Sequence, residues 1–374
     1  MNFLRTLGRL IVGATFMFSG FVKGIDPLGS AYKFIDYFES FHLDLLAPVA
    51  LPLAFVLSAL EFFIGVSLFF NLFVKRFAWM AMLFMSFFTA LTLYIAIDNP
   101  VSDCGCFGDA FVITNWQTFY KNLILILFTL IIYSNRRKFR SFLTSGAQSV
   151  LFLIIAIAFS ATIYHSYSHL PIIDFRPYKV GVNINEGMSI PEGASDPVYE
   201  NIFNYKNKKT GEIKAFKEDE SPWQDSLTWE YVSLKEEKLI DPGYIPPIQD
   251  FNIETEEGED VKDFFLEDEN YTFFLVAYDL NKSSKKKQEE INQLANAAME
   301  QGMNFICLTA TIEDDLQIFK DETGAPYDFL FSDEITLKTI IRSNPGLLLT
   351  RHGDILNKWH YNDIPQMGDI EQLK

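Results

Sequence analysis

Cysteine, histidine and positive charge are all scarce in this chain of 374 residues. It has three cysteines and five histidines, and three cysteines are too few for a disulfide framework in a chain of this length. Lysine and arginine number 31 against 48 aspartates and glutamates, which gives a net charge of −17. An acidic surface repels phosphate backbones and anionic lipid headgroups, so this composition argues against nucleic-acid binding and against a membrane-surface role for the acidic part.

The shortage of positive charge is confined to the second part of the chain. Residues 1–166 hold 11 basic and 8 acidic residues, and the remainder holds 20 and 40. The first part contains long apolar runs, and a helix needs about 20 mostly apolar residues to cross a bilayer. The sequence therefore predicts a helical membrane bundle followed by an acidic extracytoplasmic part of about two hundred residues.

About five segments are candidates for spanning helices. Four meet this length comfortably with mostly apolar residues: about Pro48–Val74, Phe77–Ile97, Trp116–Tyr133 and Ser149–His165. The first candidate, Phe3–Val22, contains Arg5 and Arg9, whose long side chains can reach a cytoplasmic headgroup layer. Its basic start also fits a signal peptide, but no A-x-A-like cleavage site follows. We predict a retained span, with cleavage of this segment as the alternative.

The distribution of lysine and arginine predicts the orientation. With the N-terminus in the cytoplasm, Lys23, Lys33 and Lys121 face outwards, and eight basic residues face inwards: Arg5, Arg9, Lys75, Arg76, Arg136, Arg137, Lys138 and Arg140. The loop with Cys104 and Cys106 then lies with the whole C-terminal part on the periplasmic side of the inner membrane. Between the first two spans, residues Ala31–His42 alternate aromatic and charged residues, which predicts an interfacial amphipathic helix.

The soluble part divides at a group of prolines, Pro242, Pro246 and Pro247. Before it, residues 171–245 contain short alternating runs and the turn signal Asn207–Gly211, which predict a small β-rich segment. After it, residues 246–374 alternate buried strands and helices, which predicts an α/β sandwich whose mixed sheet ends in a hairpin. The predicted strands are 271–278, 304–309, 328–331, 347–350 and 355–359, and the predicted helices are 285–300, 312–320 and 335–341.

The segment Asp103-Cys-Gly-Cys-Phe-Gly-Asp109 lies in a loop between two spans. A Cys-x-Cys pair closes a disulfide only with a tight backbone, and the intervening glycine makes closure feasible. Three interpretations compete for Cys104 and Cys106. They are a redox-active pair that exchanges with another dithiol, a static disulfide that braces the loop, and a metal site completed by Asp103 and Asp109. The lack of a nearby histidine argues against the metal site.

Two other residues stand out. Glu61 lies inside the second predicted span, where a carboxylate is costly, so it is a candidate for proton handling or for a structural pair with a neighbouring helix. Cys307 falls in the middle of an apolar strand, which predicts a buried, inert thiol.

The membrane part resembles the DoxX superfamily and, within it, the MauE-like methylamine-utilisation membrane proteins. The likeness rests on Ser19-Gly-Phe-Val-Lys-Gly-Ile-Asp-Pro27, on Leu60-Glu-Phe-Phe-Ile-Gly65 and on Cys104-Gly-Cys-Phe-Gly108. It covers residues 1–140, a four-span bundle, with a fifth transmembrane helix and exit at 141–170. The resemblance implies a membrane component of extracytoplasmic thiol and disulfide chemistry beside a thioredoxin-like partner, with quinone as an electron carrier.

Residues 246–374 resemble a thioredoxin-fold domain of the membrane-anchored periplasmic type. In that fold a cis-proline precedes the strand that Leu347 begins, and Pro345 occupies this place. Where the family has Cys-x-x-Cys, this chain has Asn281-Lys-Ser-Ser284, which offers no thiol. The whole arrangement is similar to uncharacterised DoxX-family proteins of Bacteroidota.

The leading hypothesis is an inner-membrane redox protein in which Cys104 and Cys106 cycle between dithiol and disulfide. Glu61 would manage the coupled proton, and the acidic domain would recruit an extracytoplasmic protein partner. The alternative is a non-catalytic scaffold that binds envelope proteins through its acidic thioredoxin-like domain, with the cysteine pair bracing a loop. A small-molecule transporter finds little support, because Glu61 alone is clearly an intramembrane ionisable group away from the helix ends.

Overall fold

The computed structural model describes residues 2–241, 243–312 and 314–370. Pro242, one of the prolines predicted to mark a boundary, therefore lies outside the described residues. The chain divides into two compact units, residues 1–182 with 252–374, and residues 183–251. The membrane bundle and the C-terminal α/β domain thus belong to one unit, and the β-rich segment forms the other.

The N-terminal part is helical. Its helices are α1 (Asn2–Ile25), α2 (Pro27–Ser40), α3 (Ala50–Phe69), α4 (Val74–Asp98), α5 (Asn115–Ser134) and α6 (Ser145–Ser168). Within the described ranges, five segments are long and apolar enough to cross a membrane: Phe3–Ile25, Asp44–Phe69, Val74–Asp98, Asn115–Ser134 and Ser145–Ser168. The prediction of about five spanning helices is confirmed, and the chain is a multi-pass membrane protein.

Local sequence signals explain where several of these helices begin. Thr114 and Gln117 form a capping box at the start of α5, and the Thr144 side chain caps α6. Asp26 caps α2, and Pro27 occupies its first position, where a missing backbone donor costs nothing. The helix predicted over residues 31–42 therefore begins earlier. Its residues Ala31 and Phe38 are buried against the start of α3.

Glycines allow α1 and α3 to pack backbone against backbone. A Cβ atom on Gly13 would lie 2.6 Å from the backbone nitrogen of Phe69. A Cβ on Gly20 would collide with the backbone of Phe62, and one on Gly65 with the backbone of Met17. Small residues at such contacts let membrane helices approach closely and gain van der Waals packing. At one end of this pair, the Arg9 guanidinium donates to the carbonyls of Leu68 and Phe69 at the C-terminus of α3.

The second unit contains a short helix, α7 (Ile184–Met188), and three antiparallel strands in its described part, β1 (Val198–Asn207), β2 (Ile213–Lys217) and β3 (Trp229–Asp241). Their order is β2-β1-β3, and the predicted turn Asn207–Gly211 joins β1 to β2. This confirms the predicted β-rich character. The second half of β3 is rich in charge and lacks an apolar alternation, so its sequence carries no local signal for a strand.

The α/β domain begins after this unit. Its elements are α8 (Lys262–Leu266), β4 (Tyr271–Val276), α9 (Gln288–Glu300), β5 (Asn304–Thr309), α10 (Asp314–Thr323), β6 (Asp328–Phe331), α11 (Glu334–Ile340), β7 (Gly346–Arg351), β8 (Asp354–His360) and α12 (Met367–Ile370). In the described residues the sheet has the order β6-β5-β4-β7-β8. β4, β5 and β6 run parallel, and β7 and β8 are antiparallel to their neighbours.

This sheet carries helices on both faces. Phe273 of β4 packs with residues of α9 and α10 in the main core, whereas Phe274 points the other way and contacts Phe265 of α8. The predicted mixed sheet ending in a hairpin is present. The helix predicted to begin at Ile312 begins at Asp314, and residue 313 lies outside the described part.

The segment that leaves the membrane is tied to the α/β domain by a buried charge cluster. Asp174 accepts from Arg176 at 2.8 Å and from Lys358 of β8 at 2.9 Å. Burial acts to raise the pKa of Asp174, but the two cations outweigh it and hold that pKa below its usual range. The cluster fixes the α/β domain to the end of α6.

Candidate functional site

The structure brings Cys104 and Cys106 together. Their sulfur atoms are in contact and their Cα atoms are 5.5 Å apart, within the range of a disulfide. Gly105 between them has φ +63°, and Gly108 has φ +50°. Other residues rarely adopt this left-handed backbone, so glycine at these positions permits the tight loop. We call residues 103–109, between α4 and α5, the cysteine loop.

Side chains of α2 hold the first half of the cysteine loop. Lys33 Nζ donates to Asp103 Oδ2 at 2.8 Å, while Asp103 Oδ1 accepts from the Gly105 backbone at 2.8 Å. The Tyr37 hydroxyl donates to the Cys104 carbonyl at 3.1 Å. These contacts give α2 a definite role beyond that of the interfacial helix the sequence predicted, since it fixes the loop that carries both cysteines.

Glu61 is buried in the bundle and is paired with Lys23 of α1. Lys23 Nζ donates to the two carboxylate oxygens of Glu61 at 2.7 and 2.9 Å, and the Glu61 residue is 4% exposed. An ammonium at this distance offsets much of the cost of a carboxylate in a membrane span. Sequence reasoning counted Lys23 among the outward-facing lysines and missed this pair.

Ser19 connects the ion pair to the cysteine loop. Its Oγ lies 2.6 Å from Glu61 Oε2 and 2.6 Å from the carbonyl oxygen of Cys106. A hydroxyl has one proton to donate, so it satisfies one of these acceptors at a time unless Glu61 itself supplies a proton. Ser19 and Lys23 lie four residues apart on one face of α1, which is the spacing that could have signalled their common role.

An apolar cavity of about 290 Å³ opens beside the two cysteines. Its walls are rich in phenylalanine: Phe16, Phe34, Phe38, Phe41, Phe84, Phe87, Phe88 and Phe107. Its polar lining includes Lys23, Glu61, Lys121 and Asn122, together with Cys104 and Cys106. The two cysteines, the buried ion pair and a set of hydrogen-bond donors therefore surround one apolar space.

A polar crevice of about 650 Å³ lies on the other side of the cysteine loop, between the bundle and the α/β domain. Gly105 and Lys33 line both the cavity and the crevice. The opposite wall includes Lys338 of α11 and Arg342. The cysteine loop is thus the partition between an apolar space inside the bundle and a polar space outside it.

Other candidate residues from the sequence are Asp103, Asp109 and Cys307. In the described residues no cluster of histidine, cysteine, aspartate and glutamate is arranged to hold a metal. Asp103 and Asp109, the carboxylates considered for a metal site, pair with Lys33 and Arg342. Cys307 is fully buried in β5, and burial raises the pKa of its thiol.

The loop before β7 contacts the segment Asn281–Ser284, which follows β4. The peptide bond between Asn344 and Pro345 is cis. The Ser284 backbone donates to the Asn344 carbonyl at 2.9 Å, and the Asn344 side chain donates to the Asp279 carbonyl at 2.8 Å. Hydrogen bonds from a backbone amide and from the Asn344 side chain therefore hold this loop to the segment after β4, and residues 281–284 include no cysteine.

The N-terminal bundle is similar to a known protein family. Residues 1–134 match the family model described as "Methylamine utilisation protein MauE". That segment includes Ser19, Lys23, Glu61 and the cysteine loop, which are the parts of the site described above. Residues 199–241 match a second model, described as a domain of unknown function (DUF8463).

Other comparisons are sparse. No curated protein matches the chain. A solved structure described as an uncharacterized conserved protein from Geobacillus kaustophilus is 15% identical, with a TM-score of 0.26. The match covers 33% of this chain and 74% of that one.

Proposed function

We propose that Cys104 and Cys106 are a membrane-embedded thiol and disulfide redox centre, which passes electrons between an extracytoplasmic protein dithiol and a lipid-soluble quinone. The observation that carries the proposal is the position of the pair, since Cys104 and Cys106 both line an aromatic cavity inside the bundle. The match of residues 1–134 to the MauE model agrees with a membrane protein of this kind. The finer assignment to the DoxX superfamily is part of the proposal.

The exchange balances with two electrons and two protons. A thiolate of the partner dithiol attacks the disulfide of Cys104 and Cys106, the partner's second thiolate resolves the mixed disulfide, and the partner leaves as a disulfide. The pair is then a dithiol that holds two electrons and two protons. A lipid-soluble quinone in the cavity would take up both, which closes the bond between Cys104 and Cys106 again and yields the quinol.

The residues around the cavity fit a quinone ring. Phenylalanine side chains such as Phe84 and Phe88 offer apolar faces for stacking. Lys121 Nζ lies 4.3 Å from the centre of the Phe107 ring and also lines the cavity. An ammonium has three protons to donate, so Lys121 can hold a carbonyl oxygen of the ring.

The buried ion pair supplies proton handling. Glu61, Lys23 and both cysteines line the same cavity, and Ser19 joins Glu61 to the cysteine loop. A proton that leaves a thiol therefore has an acceptor within the bundle. Removing the Glu61 carboxylate should slow turnover without preventing quinone from binding.

The proposal also includes an orientation in the membrane and a fold for the α/β domain. The distribution of basic residues favours an N-terminus in the cytoplasm of an inner membrane, with the cysteine loop and the α/β domain in the periplasm. The strand order β6-β5-β4-β7-β8 and the position of Pro345 before β7 support a thioredoxin-like fold for the α/β domain. The missing thiol pair leaves the redox step to the bundle.

The experiment uses the full chain in lipid nanodiscs with a ubiquinone analogue and dithiothreitol. Quinol formation is followed by ultraviolet absorbance, and binding of the analogue is followed by quenching of Trp79 and Trp116 in the bundle. We expect Cys104→Ser and Cys106→Ser to abolish quinol formation, with Cys307→Ser as the matched control. Lys121→Met should weaken binding by about tenfold, as expected for loss of a charged hydrogen-bond donor. Lys75→Met, at the far end of α4, should leave binding unchanged.

Two results would overturn the proposal. Quinol formation at the wild-type rate in both serine variants would show that the pair takes no part. A wild-type protein that binds no quinone analogue and keeps its cysteine pair oxidised under dithiothreitol would favour the scaffold, in which the pair only braces the loop.

A further inference from the structure

Arg342 links the α/β domain to the cysteine loop. It lies just after α11, in the connection to β7, and is 5% exposed. Its guanidinium donates from Nε to both oxygens of Asp26 at 2.9 and 3.0 Å, and from Nη2 to Asp109 at 2.9 Å. One side chain of the α/β domain therefore binds both the start of α2 and the end of the cysteine loop.

The bundle is shaped to receive this guanidinium. A Cβ atom on Gly29 would lie 2.7 Å from Arg342 Nη2, so glycine leaves the space that the side chain fills. The guanidinium also lies 5.3 Å from the centre of the Tyr32 ring. Tyr32 in turn forms a hydroxyl pair with Tyr278, at the end of β4, at 3.0 Å. The binding site of the Arg342 guanidinium is thus built from residues of the bundle and of the α/β domain.

The cysteine loop is clamped at its two ends by cations from different elements. Lys33 of α2 holds Asp103 one residue before Cys104. Arg342 holds Asp109 three residues after Cys106. A charged hydrogen bond contributes more than a neutral one, so loss of either clamp should free its end of the loop. Only the second clamp belongs to the α/β domain.

We propose that Arg342 is a positioning residue of the redox pair, and that the α/β domain, which lacks a Cys-x-x-Cys pair, acts on the redox chemistry by holding the cysteine loop through it. This inference rests on the proposed function. By fixing Asp109, Arg342 restricts the loop to conformations in which Cys104 and Cys106 meet. The disulfide is then stabilised relative to the dithiol, because the reduced loop loses less freedom on closing.

The test measures the equilibrium between dithiol and disulfide in glutathione buffers, with the full chain in nanodiscs and Cys307 replaced by serine. The fraction oxidised is read from the mass added by a thiol-alkylating reagent. Arg342→Gln should shift the equilibrium towards the dithiol by about tenfold, the effect of losing its charged hydrogen bond to Asp109. Arg342→Lys should restore part of the shift, because a lysine keeps the charge but not the fork geometry.

Two further variants make the result specific. Asp109→Asn changes a side chain that is 42% exposed, so it should leave the fold intact and give the same shift. The double variant Arg342→Gln with Asp109→Asn should shift no further than either single variant, since each change already removes the hydrogen bond between Arg342 and Asp109. Arg351→Gln is the matched control, because Arg351 lies in the same domain and donates to the Glu269 carbonyl.

The outcomes separate this inference from the proposed function. A wild-type pair that cannot be titrated between the two states would refute the redox proposal itself. A pair that titrates normally, with Asp109→Asn and Arg342→Gln both within twofold of the wild type, would refute the role of Arg342 alone. An equal shift in Arg351→Gln would also refute it, because the effect would then be general to the domain.

Discussion

The pair of Lys23 and Glu61 allows the sharpest prediction about the bundle. Their side chains are 11% and 5% exposed and their charged atoms are 2.7 Å apart. Removing one partner of a buried ion pair leaves an uncompensated charge and costs about 3 to 5 kcal/mol. Replacing both partners by groups of similar volume costs much less, because no isolated charge remains. Lys23→Met alone and Glu61→Gln alone should therefore destabilise the bundle more than the double variant does.

The assay is denaturation of the full chain in detergent micelles, followed by the fluorescence of Trp79 and Trp116. We expect Lys23→Met to lower the free energy of unfolding by about 3 kcal/mol, and the double variant to regain most of that loss. Quinol formation should stay low in the double variant, since the proton-handling carboxylate is absent. A double variant as unstable as Lys23→Met would refute the reasoning, as would a Lys23→Met protein as stable as the wild type.

Three further predictions concern packing, acid stability and the third cysteine. Gly65→Ala should destabilise the bundle by about 2 kcal/mol through overpacking against α1. Gly146→Ala, whose added Cβ would meet nothing within 4 Å, should be neutral; equal melting temperatures for both would contradict this. Burial lowers the pKa of His360 to about 4, below the ordinary value of 6.5. The unfolded chain therefore binds the proton more strongly, and stability should fall as pH decreases from 6.5 towards 4, by roughly 2 kcal/mol. His360→Asn should lose this dependence in thermal melts at pH 7 and pH 4.5, and an unchanged dependence would exclude His360 as its source. Cys307 should resist alkylation in the folded protein until denaturant is added, and rapid labelling would show that β5 is not buried as described.

Much of the architecture could be predicted because its signals are local. The spanning helices follow from long apolar runs, and β4 and β5 follow from short ones bounded by turns. The cysteine loop was also identifiable, because Cys104, Gly105 and Cys106 are adjacent in sequence. In each case the information lies within one segment of the chain.

The contacts that complete the site could not be predicted, because they join distant segments. Lys23 and Glu61 are separated by 38 residues, and Arg342 and Asp109 by 233. Hydropathy shows that a helix spans the membrane but not which neighbour its polar residue faces. The sequence therefore identified Glu61 as unusual without identifying Lys23 or Ser19, and Arg342 gave no local signal at all.

The most direct test of the central claim is the redox state of Cys104 and Cys106 in intact cells. Free thiols are alkylated before and after mild reduction, in a chain with Cys307 replaced by serine, and the mass shift is read for each sample. Our account predicts a mixed population of dithiol and disulfide, with a trapped mixed disulfide to a partner when one of the two cysteines is replaced. A pair that is fully oxidised and never exchanges would contradict it.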